Sequence, residues 1–200
     1  VPRSPGSTLK PFIYGLALEE GLVTPEPLIA DRPTNFSAYR PQNFAMTYQG
    51  DVTVRHAPQM SLNVPALNLL ESVSPAALVQ RFRRGGLNPV LPKEEQPGIA
   101  IGLGGLGLSL ADLVQAYAAL ANGGTKVELT NGVAKPSGPY RHGSILSQKA
   151  AWQVADILSG IAPPGSATPR LLAYKTGTSY GYRDAWSIGF DGRYVLGVWV

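Results

Sequence analysis

The spacing of apolar residues along the chain predicts a series of helices followed by strands. Apolar residues recur every three or four positions, which is typical of helices with one buried face, over 7–18, 60–82, 110–122 and 147–158. Ser74-Pro75 is expected to begin a second helix inside the 60–82 stretch. Ser109 and Asp112 form a capping-box pattern before residue 110, and Ser147 is expected to cap the last helix.

The remaining segments predict surface loops and a sheet. Residues 23–58 are rich in proline and polar residues, which indicates an irregular excursion over the surface. Aromatic and aliphatic residues then dominate three short runs, which predict strands over 171–174, 185–190 and 194–200. Asp191-Gly192 between the last two runs is typical of a hairpin turn.

Composition limits the possible functions without choosing one. The chain has 200 residues, of which 44% are hydrophobic and 15% are charged, and this predicts one globular domain or most of one. Its net charge of +4 is scattered along the sequence, so nucleic acid is not an expected partner. Because there is no cysteine, a covalent catalyst must use a hydroxyl, an amine or a carboxylate. No apolar run approaches the ~18 residues that a membrane-spanning helix needs.

Ser7-Thr8-Leu9-Lys10 is the first of three polar clusters. A serine and a lysine three positions apart share one helix face, so a lysine with a lowered pKa can take the hydroxyl proton. Pro11 would clash with the Ser7 carbonyl in a regular helix, and this predicts a bent or 3₁₀-like first turn. The alternative is a helix start with an exposed lysine.

The other two clusters are Ser61-Leu62-Asn63 and Lys175-Thr176-Gly177-Thr178. In the first, a hydroxyl and an amide could relay a proton and hold a peptide carbonyl, although a loop or a helix cap would look the same. The second is expected to end a strand, with both threonines on one face beside the lysine charge and Gly177 admitting a substrate backbone. A solvated strand terminus is its alternative.

The three clusters occur in the order of the SxxK, SxN and KTG motifs of penicillin-binding proteins. The segments PGSTLKPF, SLNVPA, KTGTS and DAWSIGF, and the similarity over nearly the whole chain, resemble class A members of that family. The resemblance implies an α+β fold, serine β-lactamase/transpeptidase-like, with an antiparallel five-stranded sheet packed against a helical subdomain. Three strands are visible here, so we expect 1–200 to be one transpeptidase domain, a fragment lacking some strands and incomplete at both ends.

The resemblance also implies a peptidoglycan D,D-transpeptidase. Ser7 would be acylated by a D-Ala-D-Ala stem peptide, an amine of a neighbouring stem would take the acyl group, and β-lactams would acylate Ser7 covalently. The implied helpers are Lys10 as base, Ser61 and Asn63 as relay and positioning pair, and Lys175, Thr176 and Thr178 as carboxylate-binding residues. Backbone N–H groups of Ser7 and Thr178 would form the oxyanion hole.

The same resemblance sets expectations for partners and location. The expected partners are stem peptides, β-lactam antibiotics and other proteins of cell-wall synthesis, with no cofactor and no metal. The expected location is the periplasmic face of the bacterial inner membrane. Contact with the membrane would come through an anchoring segment outside this chain, as would a glycosyltransferase domain.

Several alternatives stay open on the sequence alone. Residues 102–107 match the dinucleotide-binding pattern GxGxxG, with Glu128 further on, but no second strand–helix unit follows. A β-lactamase lacks support because no Glu-x-x-Leu-Asn segment is found. A D,D-carboxypeptidase, or an acylated receptor-like or scaffold domain with little turnover, remains possible. His56, His142 and the arginines at 81, 83 and 84 are expected to be solvated surface residues.

Overall fold

The computed structural model describes the chain except for residues 37–39, 44, 93–96, 131, 133–142, 164, 166–167 and 169. A 3₁₀ turn at Gly6–Leu9, called the Ser7 turn below, leads directly into the first helix. The helices of the described part are α1 (Lys10–Glu19), α2 (His56–Gln59), α3 (Asn63–Val73), α4 (Pro75–Arg84), α5 (Leu110–Ala121) and α6 (Gln148–Ser159). The strands are β1 (Leu28–Asp31), β2 (Gly50–Thr53), β3 (Ala173–Thr178), β4 (Ala185–Phe190) and β5 (Val195–Trp199).

Helix α1 lies at the centre of the molecule. Residues 10–18 are all buried, because the helix is apolar on every side except at Lys10, and such helices belong inside a core. Phe12 packs edge-on against Phe82 of α4 and Tyr117 of α5, with ring centroids 5.2 and 5.5 Å away. Helices α3 and α6 pack against its other sides. The central position fixes the Ser7 turn, which continues directly into α1.

The sheet formed by β3, β4 and β5 is antiparallel in that order. Its buried face packs on α5 and α6, with Ile188 fully buried, and its other face carries polar residues such as Thr176. The sequence expectation for the first strand is wrong in its bounds, since β3 begins at Ala173 and runs through the whole Lys175–Thr178 cluster. The helices and antiparallel sheet confirm the expected α+β fold.

A second, small sheet corrects the expectation of an irregular surface segment over 23–58. Strands β1 and β2 pair antiparallel, with Leu28 opposite Thr53 and Asp31 opposite Gly50. Each strand has four residues and the prolines around them hide the pattern, so period-two alternation could not be recognised. The hairpin matters because it brings Asp31, which is buried, close behind the site described below.

The local signals at helix ends are confirmed. Ser109 and Asp112 form the complete capping box of α5, and the Ser147 side chain accepts from the Ala150 N–H at the start of α6. The first turn of the chain is 3₁₀, as Pro11 predicts. The helical stretch from residue 60 is interrupted at Ser61, whose φ of +58° lies in the left-handed region, and α3 begins only at Asn63.

The glycine-rich stretch does not form a dinucleotide-binding turn. Residues Ile99–Leu103 form a 3₁₀ helix, and Gly107 pairs with Val90 rather than opening a helix after a parallel strand. In the part of the chain that the structure describes, both sheets are antiparallel, so no βαβ unit is present. No helix among those residues combines the length and apolarity needed to cross a bilayer.

Candidate active site

The three polar clusters meet at one open cavity of about 840 Å³ beside the outer strand β3. Its wall includes six of the eight predicted site residues: Ser7, Ser61, Asn63, Thr176, Gly177 and Thr178. The other two, Lys10 and Lys175, are 0% and 2% exposed and lie behind this wall. The sequence therefore predicted a set of residues that the fold does bring together, from positions up to 171 apart along the chain.

The Ser7 turn is held in place by the backbone that precedes it. Trp186 of β4 donates its indole N–H to the Ser4 carbonyl at 2.9 Å, and the Ser4 hydroxyl donates to the Gly104 carbonyl at 2.8 Å. Arg3 bridges to Leu108 through backbone hydrogen bonds. These contacts with Trp186, Gly104 and Leu108 anchor the turn, and this leaves the half-buried Ser7 facing the cavity.

Lys10 is the first residue of α1, one turn after Ser7, and its amine is aimed at the second cluster. Its Nζ donates to the Ser61 carbonyl and to Asn63 Oδ1, both at 2.5 Å, and lies 3.4 Å from Ser61 Oγ. The left-handed backbone of Ser61 is what turns its carbonyl toward the amine. Such backbone conformations cost energy in non-glycine residues and occur often at functional sites.

Lys175 approaches the same serine from the sheet. Its Nζ donates to Ser61 Oγ at 2.9 Å and to the Thr176 carbonyl at 2.9 Å. The Ser61 hydroxyl therefore stands between two amines and can accept a proton from one while donating to the other, if that one is neutral. This arrangement is a short proton path from Lys10 through Ser61 to Lys175.

The protonation of the two amines follows from their surroundings. Burial, followed by repulsion from Lys175, holds the pKa of Lys10 well below its ordinary value, although Asp31 acts in the opposite direction. Burial lowers the pKa of Lys175 to about 8. Lys10 therefore gives up its proton more readily than an ordinary lysine, while Lys175 keeps its proton up to about pH 8.

The alternation of β3 separates the threonine hydroxyls from the lysine amine. Thr176 and Thr178 are exposed on the cavity side, as expected for residues two apart on a strand. Lys175 lies on the opposite face and directs its amine to Ser61. The threonines can thus contact a carboxylate directly, while Lys175 contributes its charge from behind the wall.

Gly177 lines the cavity and also permits a close contact that the sequence did not predict. An added Cβ there would lie 2.6 Å from the Pro5 carbonyl oxygen and 2.9 Å from the Thr8 nitrogen. Gly6, with a φ of +53°, would likewise collide with the Thr178 backbone. The two glycines let β3 and the Ser7 turn touch backbone to backbone. This contact puts the Thr178 nitrogen next to the turn, consistent with an oxyanion hole formed with Ser7.

Substituting Gly177 with alanine should therefore disturb the site and the fold together. We expect a loss of about 1–3 kcal/mol in the free energy of unfolding, since overpacking at a rigid backbone contact costs that much. Urea denaturation followed by tryptophan fluorescence measures it. Gly192→Ala is the matched control, because nothing lies within 4 Å of that position and its φ is not in the left-handed region. Equal stability of the two variants would contradict the close contact.

The structure also identifies site residues that the sequence analysis missed. Asp31 and Asn43 lie directly behind Asn63, and Tyr180 and Tyr182 stand exposed at the rim of the cavity after β3. The tyrosines follow the third cluster by a few positions, and this proximity was the available signal. For Asp31 and Asn43 no local pattern existed, because they reach the site only through the β1–β2 hairpin.

The residues expected to be ordinary surface groups fall into three cases. His56 is exposed and shares a weak polar contact of 3.3 Å with Gln59. Arg81 is not merely solvated, since it forms a 2.5 Å ion pair with Glu19, whereas Arg83 is exposed. His142 lies outside the described residues. Within the described part of the chain, no group of three His, Cys, Asp or Glu side chains is placed to hold a metal ion.

A serine on a 3₁₀ turn, two buried amines around a second serine, and an antiparallel outer strand define the class of acyl-serine enzymes with this α+β fold. Comparison with known proteins specifies the family. The model of the penicillin-binding protein transpeptidase domain matches residues 2–199, and the chain belongs to that family.

Two curated relatives indicate the type within the family. Penicillin-binding protein 1C of Escherichia coli (strain K12) is 44% identical over 98% of this chain and 26% of that protein. Penicillin-binding protein 1A of Aquifex aeolicus (strain VF5) is 30% identical over 99% of this chain and 29% of that protein. The residues around the three motifs favour the 1C type, and the first relative confirms this. The chain spans less than a third of the length of either relative.

Solved structures with this fold match nearly the whole chain. PonA1 from Mycobacterium tuberculosis, in complex with penicillin V, superimposes with a TM-score of 0.82 at 21% identity, covering 100% of this chain and 60% of that one. Penicillin-binding protein 1A from Haemophilus influenzae gives a TM-score of 0.81 at 20% identity, covering 99% and 38%. At these identities the structures show the fold, and the chemistry must be argued from this chain's own residues.

Proposed function

We propose that this chain is a D,D-transpeptidase domain of peptidoglycan synthesis, in which Ser7 is acylated by a stem peptide that ends in D-Ala-D-Ala. The observation that carries the proposal is the Ser61 hydroxyl shared by Lys10 and Lys175 beside Ser7 in an open cavity. This supplies a nucleophile, an amine whose pKa is lowered, and a path for the proton. A peptide of several residues fits a cavity of about 840 Å³.

The acylation step follows from these positions. Ser7 Oγ attacks the carbonyl carbon between the two D-alanines while its proton passes to the amine of Lys10, one turn along, whose lowered pKa favours the unprotonated form that can accept it. The oxyanion is stabilised by backbone N–H groups of Ser7 and Thr178. The C–N bond then breaks, and Lys10 returns the proton to the leaving amine through the Ser61 hydroxyl. D-Alanine departs and the stem remains as an ester on Ser7.

Transfer of the acyl group reverses the same proton path. An amine of a neighbouring stem enters the open side of the cavity, gives up a proton toward Ser61 and Lys10, and attacks the ester. Ser7 Oγ regains its proton as the ester bond breaks, and an amide cross-link is formed. If water took the place of the amine, the result would be D,D-carboxypeptidase activity, and the openness of the cavity admits both acceptors.

Substrate binding is assigned to the outer strand. The hydroxyls of Thr176 and Thr178 would hold the terminal carboxylate, with attraction from the Lys175 charge behind them. The donor stem would lie beside β3, the outer strand of its sheet, as an added strand, because outer strands offer unpaired backbone groups. A β-lactam would imitate this peptide and acylate Ser7.

The setting of the whole protein is part of the proposal. Relatives named penicillin-binding proteins favour the periplasmic face of a bacterial inner membrane as the location, with an anchoring segment outside this chain. Stem peptides, β-lactam antibiotics and other cell-wall synthesis proteins are the proposed partners. No step of the mechanism uses a cofactor or a metal.

The test is intact mass of the purified protein during incubation with benzylpenicillin, followed over hours. We expect one adduct per chain, with peptide mapping placing it on Ser7 rather than on Ser4 or Ser61, which also line the cavity. Ser7→Ala should give no adduct. An adduct that disappears within minutes would indicate a β-lactamase. A stable adduct without cross-linking of a stem-peptide substrate would favour the receptor-like or scaffold alternative.

A further inference from the structure

Asp31 and Asn43 form a buried polar pair directly behind the site. They are 0% and 4% exposed, and Asn43 Nδ2 lies 3.0 and 2.8 Å from the two oxygens of the Asp31 carboxylate. The Gln49 N–H adds a third hydrogen bond to that carboxylate at 2.8 Å. Among the described residues, no cationic side chain lies within ion-pair distance of Asp31. Burying a carboxylate without a cationic partner costs folding free energy, so the burial of Asp31 needs a functional explanation.

Asn43 connects this carboxylate to the second motif. Its Oδ1 accepts the Asn63 backbone N–H at 2.8 Å, which is one of the donors at the start of α3 that has no partner within the helix. Its Nδ2 also donates to the Thr47 carbonyl at 2.9 Å. With both amide hydrogens and the oxygen engaged, the Asn43 side chain has a single orientation that satisfies all its partners.

The chain of contacts continues from Asn63 to the amine next to Ser7. Asn63 Oδ1 accepts from Lys10 Nζ at 2.5 Å, and the Ser61 carbonyl two residues earlier accepts from the same atom at 2.5 Å. Ser61 has a left-handed backbone, which nothing in its own side chain favours. The hydrogen bond that the Asn63 N–H donates to Asn43 therefore fixes the backbone two residues after the strained Ser61.

Asp31 also acts on the Lys10 amine through its charge. The charged groups that act on Lys10 are Lys175, which lowers the pKa of that amine, and Asp31, which raises it. Burial, followed by the Asp31 charge, raises the pKa of Tyr14, whose buried hydroxyl has no hydrogen-bond partner among the described residues. The carboxylate thus limits how far Lys175 can depress the proton affinity of Lys10.

We propose that Asp31 and Asn43 are positioning residues for acyl transfer, which hold Asn63 and the Ser61 backbone in the geometry that receives the Lys10 amine. The proposal rests on the proposed function, since the reaction that it serves is the acylation of Ser7. Among the described residues no hydrogen bond joins either side chain to Ser7, and their contacts lead through Asn63 to Lys10. The competing explanation is that the pair merely stabilises the β1–β2 hairpin.

The test compares acylation by benzylpenicillin in three variants of the purified protein: Asn43→Ala, the isosteric Asp31→Asn, and Asp51→Asn as control. Asp51 belongs to the same hairpin but forms an exposed 2.8 Å ion pair with Arg32, away from Asn63. The rate constant at saturating β-lactam is first order and does not depend on how much of the protein is folded. It therefore separates positioning from stability.

We expect Asn43→Ala to lower this rate constant about tenfold while the concentration for half-saturation stays within twofold. Asp31→Asn should lower it as well and move the acidic limb of its pH profile to lower pH, because the charge that favours protonated Lys10 is gone. Asp51→Asn should match the parent protein in both readouts. Where Asn43→Ala does not fold, the isosteric Asp31→Asn decides.

Two results would overturn the pair's role: parental rate constants in both variants, or lowered stability with an unchanged rate constant and pH profile. The latter is what a purely structural pair predicts. Absence of any adduct in the parent protein would instead count against the proposed function, so the two failures are distinguishable.

Discussion

Replacing Lys10 with alanine should slow acylation of Ser7 by about 10²–10⁴-fold, the usual contribution of a positioned general base. The amine is fully buried, and burial and Lys175 hold its pKa well below the ordinary value, so it loses its proton more readily than an ordinary lysine and can then act as the base. Without it, the Ser7 hydroxyl has no neighbouring amine one turn along α1. The first-order rate constant of adduct formation with benzylpenicillin, measured by quenched-flow intact mass, gives the effect directly.

Lys149→Ala is the matched control, because Lys149 is also a helix lysine but is exposed at the start of α6. It should acylate at the parental rate. Truncating Lys10 removes the donor of the Ser61 carbonyl and of Asn63 Oδ1, and this loss lowers the stability of the variant. The final amount of adduct therefore serves as the measure of folded protein in both variants. A Lys10→Ala rate within threefold of the parental one would contradict the assignment of the base.

The eight candidate site residues could be singled out from the sequence because each cluster is a compact motif with its own chemistry. Ser7 and Lys10 lie three positions apart, and Pro11 gave the additional information that the turn between them is 3₁₀, as found. Short-range geometry of this kind depends on a few neighbouring residues. The sequence could not show that Lys10 contacts Ser61 and Asn63, because that contact depends on the packing of α1 against α3.

The sequence analysis also could not predict which backbone segments lie in direct contact. Gly177 was explained from its own strand as an opening for substrate, whereas the structure shows that its missing side chain makes room for Pro5 and Thr8. Gly104, at the end of a 3₁₀ helix, similarly lies against the Gly6 backbone, where an added Cβ would be 2.6 Å from the Gly6 nitrogen. A glycine is typical of positions where a side chain would not fit, but only the tertiary structure identifies the neighbouring residues that fill the space.

The β1–β2 hairpin shows why the supporting residues were out of reach. Asp31 ends one four-residue strand and Asn43 lies in the long connection that follows, so neither belongs to a recognisable pattern. Their relevance depends on a partly buried hydrogen bond that the Asn63 N–H donates to Asn43 from 20 residues further along the chain. Polar residues in a proline-rich segment are usually solvated, and sequence alone gives no sign that these two are buried.

The second large effect is expected at Lys175, because the charge of its amine sets the highest pH at which the reaction keeps its full rate. Its pKa is lowered to about 8 by burial, so the amine loses its proton as the pH rises through that value. A neutral Lys175 no longer attracts the substrate carboxylate and no longer lowers the pKa of Lys10. We therefore expect kcat/KM for a carboxylate-bearing stem peptide to fall above about pH 8. Lys175→Ala should lower kcat/KM about 10²-fold at neutral pH, in line with the loss of a charge-assisted contact.

Lys175→Arg tests the cause of that limit, because a guanidinium stays protonated throughout the accessible range. In this variant the decline above pH 8 should disappear, even if the larger side chain lowers the rate at every pH. Lys149→Arg, at the exposed position used above, should keep the parental profile. A decline at the same pH in Lys175→Arg would assign the limit to another group and remove Lys175 from the proton path through Ser61. Disappearance of the decline, together with slow acylation of the Lys10→Ala variant, would show that the active form carries an unprotonated Lys10 and a protonated Lys175 on the two sides of the Ser61 hydroxyl.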